Sequence, residues 1–358
     1  MEGTKLWTTV QGEESLVVRL DEKTGDLVSL RFEGKELVDV SGAGGLNAYF
    51  YLPGSDLKRL QRDCSAKISV RERGPLIASL LVESVAPGCR KLIREFRLHA
   101  LANYLEIIDA LDKSPIRTKE GVHIAFPFHV PDGVLRLDTP WAVVRPERDQ
   151  IPGACKNWFT IHQWVDLSNK DYGLTWMTPD APLIEIGGIT ANLIGSLSDP
   201  KLWLDHIDPS QTIYSWPMNN HWHTNYRAEQ DGPTVFRYLI RPHAWGFRPG
   251  QASEDGLRLA SGLVVRRARG QLPEQPRLVL ESAAGVLTMS AFKPSEDGRG
   301  MIVRLFNPGA EPQSTKLIWS DPKPKAVWTS DNSEQPRQPL LGPVDVPPLT
   351  IVTLWAEL

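Results

Sequence analysis

Cysteine is scarce in this chain. The 358 residues hold three, Cys64, Cys89 and Cys155, and no two form a CxxC pair. An odd count without paired spacing argues against a disulfide framework and favours a reducing compartment, so a cytoplasmic location is expected. Long apolar runs are missing as well. LIASLLVESV is too short to span a bilayer and is interrupted by Glu83, so no membrane partner is expected. Residues 1–20 lack the basic start, apolar core and small-residue cleavage site of a signal peptide. There is no excess of basic charge. Lys and Arg number 40 against 43 Asp and Glu, for a net charge of −3. Residues 271–358 hold 8 basic and 10 acidic side chains, so neither part is a basic module. This argues against binding to a phosphate backbone as the main function, and no nucleic-acid partner is expected. The chain also lacks a Walker loop, GxSxG, HExxH, an EF-hand loop and a GxGxxG after a strand, which removes the motif-bearing members of those classes.

What the sequence does contain is period-two hydrophobicity. LVVRL (16–20), DLVSLRF (26–32), LNAYFYL (46–52), KISVRER (67–73), LIASLLVES (76–84) and KLIREFRLH (91–99) read as strands. So do YLEIIDAL (104–111), VHIAFPFHV (122–130), PLIEIG (182–187) and TVFRYLIR (234–241). Residues 21–26 read as a hairpin loop with Gly25 free to take positive φ, and Glu33-Gly34-Lys35 as a second turn. Helical signals are confined to SDLKRLQRD (55–63) and ASEDGLRLASGL (252–263). Strands do not alternate with helices, which disfavours a parallel α/β sheet. The expected fold is all-β: a large antiparallel super-sandwich over residues 1–268, a linker at 269–276, and a small β-sandwich over 277–358. Proline supports that division, with 12 of the 88 residues from 271 onward against 17 of the 270 before.

The chemistry-bearing residues concentrate in the first part. Residues 138–245 hold 8 of the 12 tryptophans and several long irregular stretches. The sharpest cluster runs Asn219-Asn220-His221-Trp222-His223-Thr224-Asn225-Tyr226-Arg227. On a strand, His221, His223, Asn225 and Arg227 share one face; Asn220 joins them only through a bulge. Such a row suits a sugar, because amide, imidazole and guanidinium groups bond hydroxyls while Trp222 or Tyr226 covers the C–H face of a pyranose. Two other readings stand beside it. One is a plain strand whose histidines bond backbone carbonyls. The other is a metal site in which His221 and His223 are joined by Asp205, His206 or Asp208. The candidate substrate-binding residues are thus Asn220, His221, Trp222, His223, Asn225, Tyr226 and Arg227. A second cluster, Arg145-Pro146-Glu147-Arg148-Asp149-Gln150, offers two carboxylates on one loop. Residues two apart rarely straddle a scissile bond, and the arginines favour a salt-bridged structural loop. Cys155 has no evident histidine partner and reads as an inert thiol.

Four strings carry a resemblance: LDEKTGDLVSLRFEGKELVD (20–39), GLNAYFYLPG (45–54), the segment 143–188 from VVRPERDQIPGACKNWF to PLIEIGG, and MNNHWHTNYRAEQDGPTVFRYLIRPH (218–243). Together with GMIVRLFNPGAEPQSTKL (300–317), they resemble the C-terminal region of the family 38 glycoside hydrolases, the class II α-mannosidases. The resemblance implies a galactose mutarotase-like super-sandwich followed by a small β domain. It also implies that the zinc ligands and nucleophilic Asp belong to an N-terminal α/β barrel for which this sequence has no counterpart. It therefore assigns no catalytic residue and no metal or other cofactor to this chain. The expected role is an accessory, carbohydrate-associated region, inactive in isolation, with an α-mannoside-like sugar and the missing barrel as partners. Two alternatives remain open. One is a stand-alone sugar enzyme of aldose-epimerase-like or lyase-like type, for which His221, His223 and Glu185 are the acid/base candidates. The other is a structural or interaction scaffold.

Overall fold

A computed structural model describes the chain except for residues 1–2, 11–12, 101, 195–202, 221–228, 262–264, 266, 268–274 and 282–285. The chain divides into two compact units, residues 1–137 with 144–247 and residues 138–143 with 248–358. Most of the sequence-derived linker at 269–276, and its boundary at 268, lie outside the described residues. Among the described residues every strand pairing is antiparallel. The all-β architecture is thus present as expected.

The first unit opens with Lys5–Val10, Glu13–Leu20, Leu27–Phe32 and Lys35–Glu36, which form one sheet in that order. Both anticipated turns are there. Gly25 has φ +70, and a Cβ on it would meet Val82 Cγ1 at 2.3 Å, so conformation and space both require glycine. Glu33 and Gly34 both have positive φ, the twist that a two-residue hairpin needs.

Two larger sheets follow. One runs Val134–Thr139, Trp164–Ser168, Gly173–Met177, Gly232–His243, Leu105–Lys113, Cys89–His99, Ile77–Val85 and Cys64–Arg73. The other runs Phe159–Thr160, Leu183–Ile186, Thr212–Asn219, Glu120–Pro127, Ala48–Pro53 and Gln61–Arg62. Period two does its work in Leu105–Lys113, where every second residue is fully buried. Phe126 from the second sheet lies 5.1 Å from Trp176 and 5.0 Å from Tyr238 of the first, ring centre to ring centre. Removing a buried ring of this kind costs about 3–5 kcal/mol. Glu120–Pro127 is buried at every position, on both faces of its sheet. Its inner face joins the main core, and its outer face carries a smaller cluster of Ala48, Phe50, Leu52, Ala125 and Ile189.

A polar knot crosses this core. Arg94, 1% exposed, donates to Asp26 at 2.9 Å, Asp63 at 3.0 Å, and the carbonyls of Asn47 and Thr24 at 2.9 and 2.7 Å. The guanidinium thereby fastens the first hairpin loop to the start of Cys64–Arg73. Beside it, Asn47 donates to Asp109 at 2.7 Å. Asp109 is fully buried, and desolvation pushes its carboxyl up to about 7.

In the second unit, Leu278–Glu281, Gln313–Trp319 and Val344–Val346 form one sheet, and Thr288–Pro294, Gly300–Phe306, Ile351–Glu357 and Val327–Ser330 another. Leu278, Val303, Leu305, Val346 and Leu354 meet between them. Residues 138–143 belong here because Trp141 packs edge-on against Phe306, 5.3 Å between centroids. The helix expected at 252–263 spans Pro249–Ser261. Its earlier start has Pro249 at a first-turn position where no N–H is needed, and Glu254 pairs with Arg258 one turn on. The other helical candidate, 55–63, is corrected. Only Leu57–Arg59 makes a 3-10 turn, capped by Asp56, and Gln61–Arg62 is already a strand paired with Phe50 and Tyr51. Strand pairing outweighs a weak local helical preference there.

A raised carboxyl pKa means the folded state holds its proton more tightly than the unfolded chain. The stabilisation is then complete below about pH 4 and is lost as pH rises to about 7. Asp109→Asn keeps the acceptor for Asn47 and removes the charge. Urea titrations are expected to show little change at pH 5, a gain of a few kcal/mol at pH 8, and a flatter pH dependence between them. An equal loss at both pH values would contradict this.

Candidate functional site

Most of the candidates lie on or beside the sheet that contains Glu120–Pro127. At one end, Thr212–Asn219 stops where the polar–aromatic cluster begins. Of the sequence-derived substrate-binding residues, only Asn220 is described; His221, Trp222, His223, Asn225, Tyr226 and Arg227 lie outside the described residues. Asn220 is buried. Its Oδ1 accepts from the Glu120 amide at 2.7 Å, and its Nδ2 donates to the Ile116 carbonyl at 2.5 Å. The side chain thus ties two strand ends together, a role that strand alternation alone did not reveal. Glu120 in turn accepts from Tyr51 Oη at 2.6 Å and pairs with Lys113 at 2.7 Å. Both ions are nearly fully buried, so each neutralises the other where water cannot. The Tyr51 hydroxyl is pushed well above its ordinary range by burial and by the Glu120 carboxylate.

On the outer face of this sheet stand His123 and Glu185, with Nδ1 and Oε2 2.6 Å apart and no exposed surface on either side chain. Strand alternation puts them there: Val122 and Ile124, and Ile184 and Ile186, point into the core. The second oxygen of Glu185 accepts from the amides of Thr190 and Ala191 at 2.7 and 2.6 Å. The carboxylate thereby closes the start of the turn Ala191–Leu193 over the sheet. The His123 ring stacks on Trp216, 6.0 Å away with planes 3° apart. Gly121 leaves room for this packing, since a Cβ there would lie 2.4 Å from Asn192 Oδ1 and 2.8 Å from His123 Nε2. An imidazole oriented by a carboxylate is the arrangement of a general base, but a base must reach its substrate. With both groups sealed, the pair is a buried structural contact, close in distance but without hydrogen-bond geometry at the His123 nitrogens or at Glu185 Oε2. Sequence reasoning named Glu185 and missed His123, although a histidine between Val122 and Ile124 in the apolar run VHIAFPFHV was a visible signal.

At the other end of the strands lies the second sequence cluster. Arg145 grips Asp149 with two guanidinium bonds of 2.9 and 2.8 Å. Glu147 has φ +68 and pairs with His206 and, at 3.2 Å, the Ile207 amide. The carboxylates of this loop are engaged, as the salt-bridged reading expected, but the partner of Glu147 is His206 rather than an arginine. That contact lowers the Glu147 pKa and raises that of His206. Arg148, His129, Asp39 and Asp208 are exposed around the same loops. Among the described residues no three His, Cys, Asp or Glu side chains converge as a metal site would require. The metal reading rests on His221 and His223, which lie outside the described residues. Cys155 Sγ donates to Asn157 Oδ1 at 3.2 Å, with no imidazole contact among the described residues.

Comparison with known proteins places the parts. Residues 287–354, within the small sandwich, match the family model of the glycosyl hydrolases family 38 C-terminal beta sandwich domain. The whole chain overlays an alpha-mannosidase from Enterococcus faecalis V583 with a TM-score of 0.70 and 14% identity, covering 100% of this chain and 43% of that one. A protein in glycosyl hydrolase family 38 from Enterococcus faecalis overlays with a TM-score of 0.68 and 14% identity, covering 100% of this chain and 45% of that one. The chain thus spans less than half the length of either, and at that identity the likeness is one of fold. A galactose mutarotase related enzyme from Lactobacillus acidophilus overlaps 68% of this chain and 98% of its own at a TM-score of 0.40 and 10% identity, too distant to carry an argument. No curated protein sequence matches the chain. No helix among the described residues is long and apolar enough to cross a membrane.

If Glu185 is a structural bond, its removal is costly. Glu185→Ala removes the acceptor of the Thr190 and Ala191 amides and the carboxylate against the His123 ring, with an expected loss of about 3–5 kcal/mol in urea unfolding. A loss below about 1 kcal/mol would mean that the pair is dispensable to the fold.

Proposed function

We propose that this chain is the accessory β-sandwich region of an α-mannosidase-like glycoside hydrolase. In this role it contributes architecture and carbohydrate contacts and does not hydrolyse glycosides by itself. The observation that carries the proposal is the full-length overlay on part of an α-mannosidase, together with the family 38 domain at residues 287–354. The carboxylates favour the same assignment. A retaining glycosidase presents two carboxyl groups about 5–5.5 Å apart to the bond it breaks. Here Asp149 is gripped by Arg145, Glu147 is held by His206, and Glu185 is sealed beside His123. Glu185 therefore gives little support to an epimerase-like catalyst that would use it as an accessible base. On this proposal the natural partners are an N-terminal catalytic barrel, where zinc would bind, and an α-mannoside-like sugar. The setting is the cytoplasm, in keeping with three free thiols.

The chain is expected to release no detectable nitrophenol from 4-nitrophenyl α-mannoside, with or without added zinc. Turnover that co-elutes with the protein through repeated purification would refute the accessory role.

A further inference from the structure

One groove in the first unit keeps hydrogen-bonding groups that the fold does not use. It has a volume of about 660 Å³, within the range of small-molecule sites. Its apolar lining comes from Phe128, Leu135, Pro146, Ile186 and Ile207. Around these stand Asp39, His129, Arg148 and Asp208, all exposed. Among the described residues neither the His129 ring nor the Arg148 guanidinium has a hydrogen-bond partner. Asp39 spends one oxygen on the Ser41 amide at 2.9 Å, and Asp208 lies 4.0 Å from His206.

The walls of the groove are fixed in advance. Glu147 clasps His206 and the Ile207 amide, joining the loop 145–150 to the segment 206–212. It does so from a left-handed backbone conformation, which costs a non-glycine residue about 1–3 kcal/mol and is commonly retained at ligand clamps. On the other side Gln211 bonds Val130 twice, accepting from its amide at 2.7 Å and donating to its carbonyl at 2.8 Å. A site held in shape before binding loses less freedom when it binds.

The charges define the ligand. Arg145 is committed to Asp149, and Glu147 to His206. What remains is donors in Arg148 and His129 and acceptors in Asp39 and Asp208. A ligand with a net charge would face an opposing group of its own sign. A run of hydroxyls, each able both to donate and to accept, satisfies all four while its C–H face covers the apolar lining. We propose that this groove binds a neutral oligosaccharide. The proposal rests on the carbohydrate-associated role only for its choice of sugar probes.

The test is isothermal titration of the full chain with mannotriose, cellotriose and trigalacturonic acid. A neutral trisaccharide is expected to bind, with an affinity changing less than about twofold between low and high salt because no net charge is neutralised. Arg148→Ala combined with Asp208→Ala is expected to weaken it by about tenfold or more. The melting temperature should stay unchanged, since both residues are exposed. Three results would overturn the proposal: no binding of either neutral trisaccharide, preference for the uronate, or binding indifferent to the double variant. In the last case the sugar sits elsewhere and the accessory role survives. Hydrolysis of the aryl mannoside would sink that role without touching the groove.

Discussion

The Glu185 carboxylate is the bond on which the outer face of the second sheet depends. One oxygen meets His123 and the other collects two amides of the turn that lies over the strands. A charge with no exposed surface persists only if its partners replace water, and here two amides do so on one oxygen while the His123 ring lies against the other. Because that bond holds the turn down, Glu120–Pro127 is covered on both faces, and the middle of the sheet is closed rather than an open bowl. The same rule recurs at two other points. Lys113 and Glu120 neutralise each other at the strand ends, and Arg94 gathers two carboxylates and two carbonyls in the core. Buried polarity in this protein is spent on joining elements that lack sequence proximity.

That distribution separates structure from function. Polar groups whose bonds are consumed inside the fold are poor candidates for binding, however suggestive their chemistry. Glu185, Asn220 and Glu120 are of this kind. The groove beside Glu147 differs because its loops are fastened by one set of charges while a second set faces water. On the proposed accessory role such a surface has a use, since it need only hold a sugar chain and not break it.

Much of the fold was legible because alternation is a direct consequence of strand geometry. LIASLLVES, KLIREFRLH and YLEIIDAL became adjacent strands, and the Gly25 and Gly34 turns fell where positive φ was required. The segment 55–63 misled because its spacing was locally helical while Phe50 and Tyr51 offered a pairing edge that no local pattern records. The site was less legible. Pairing of His123 with Glu185 joins residues 62 apart in sequence and became visible only when their strands took places on either side of Thr212–Asn219 in one sheet. Glu147 was read against its neighbouring arginines, whereas its partner His206 lies 59 residues away. Asn220 looked like part of a surface row because its bonds to Ile116 and Glu120 depend on strand ends brought together by the fold.

The sealed carboxylate can be examined most directly by amide hydrogen exchange followed residue by residue at Thr190 and Ala191. Both amides donate to Glu185, so if the pair is structural they should exchange only through global unfolding, with protection matching the stability measured in urea. Fast exchange at these two positions, in a protein whose core strands remain protected, would show that the turn opens and frees His123 and Glu185 for chemistry, and would contradict the non-catalytic assignment.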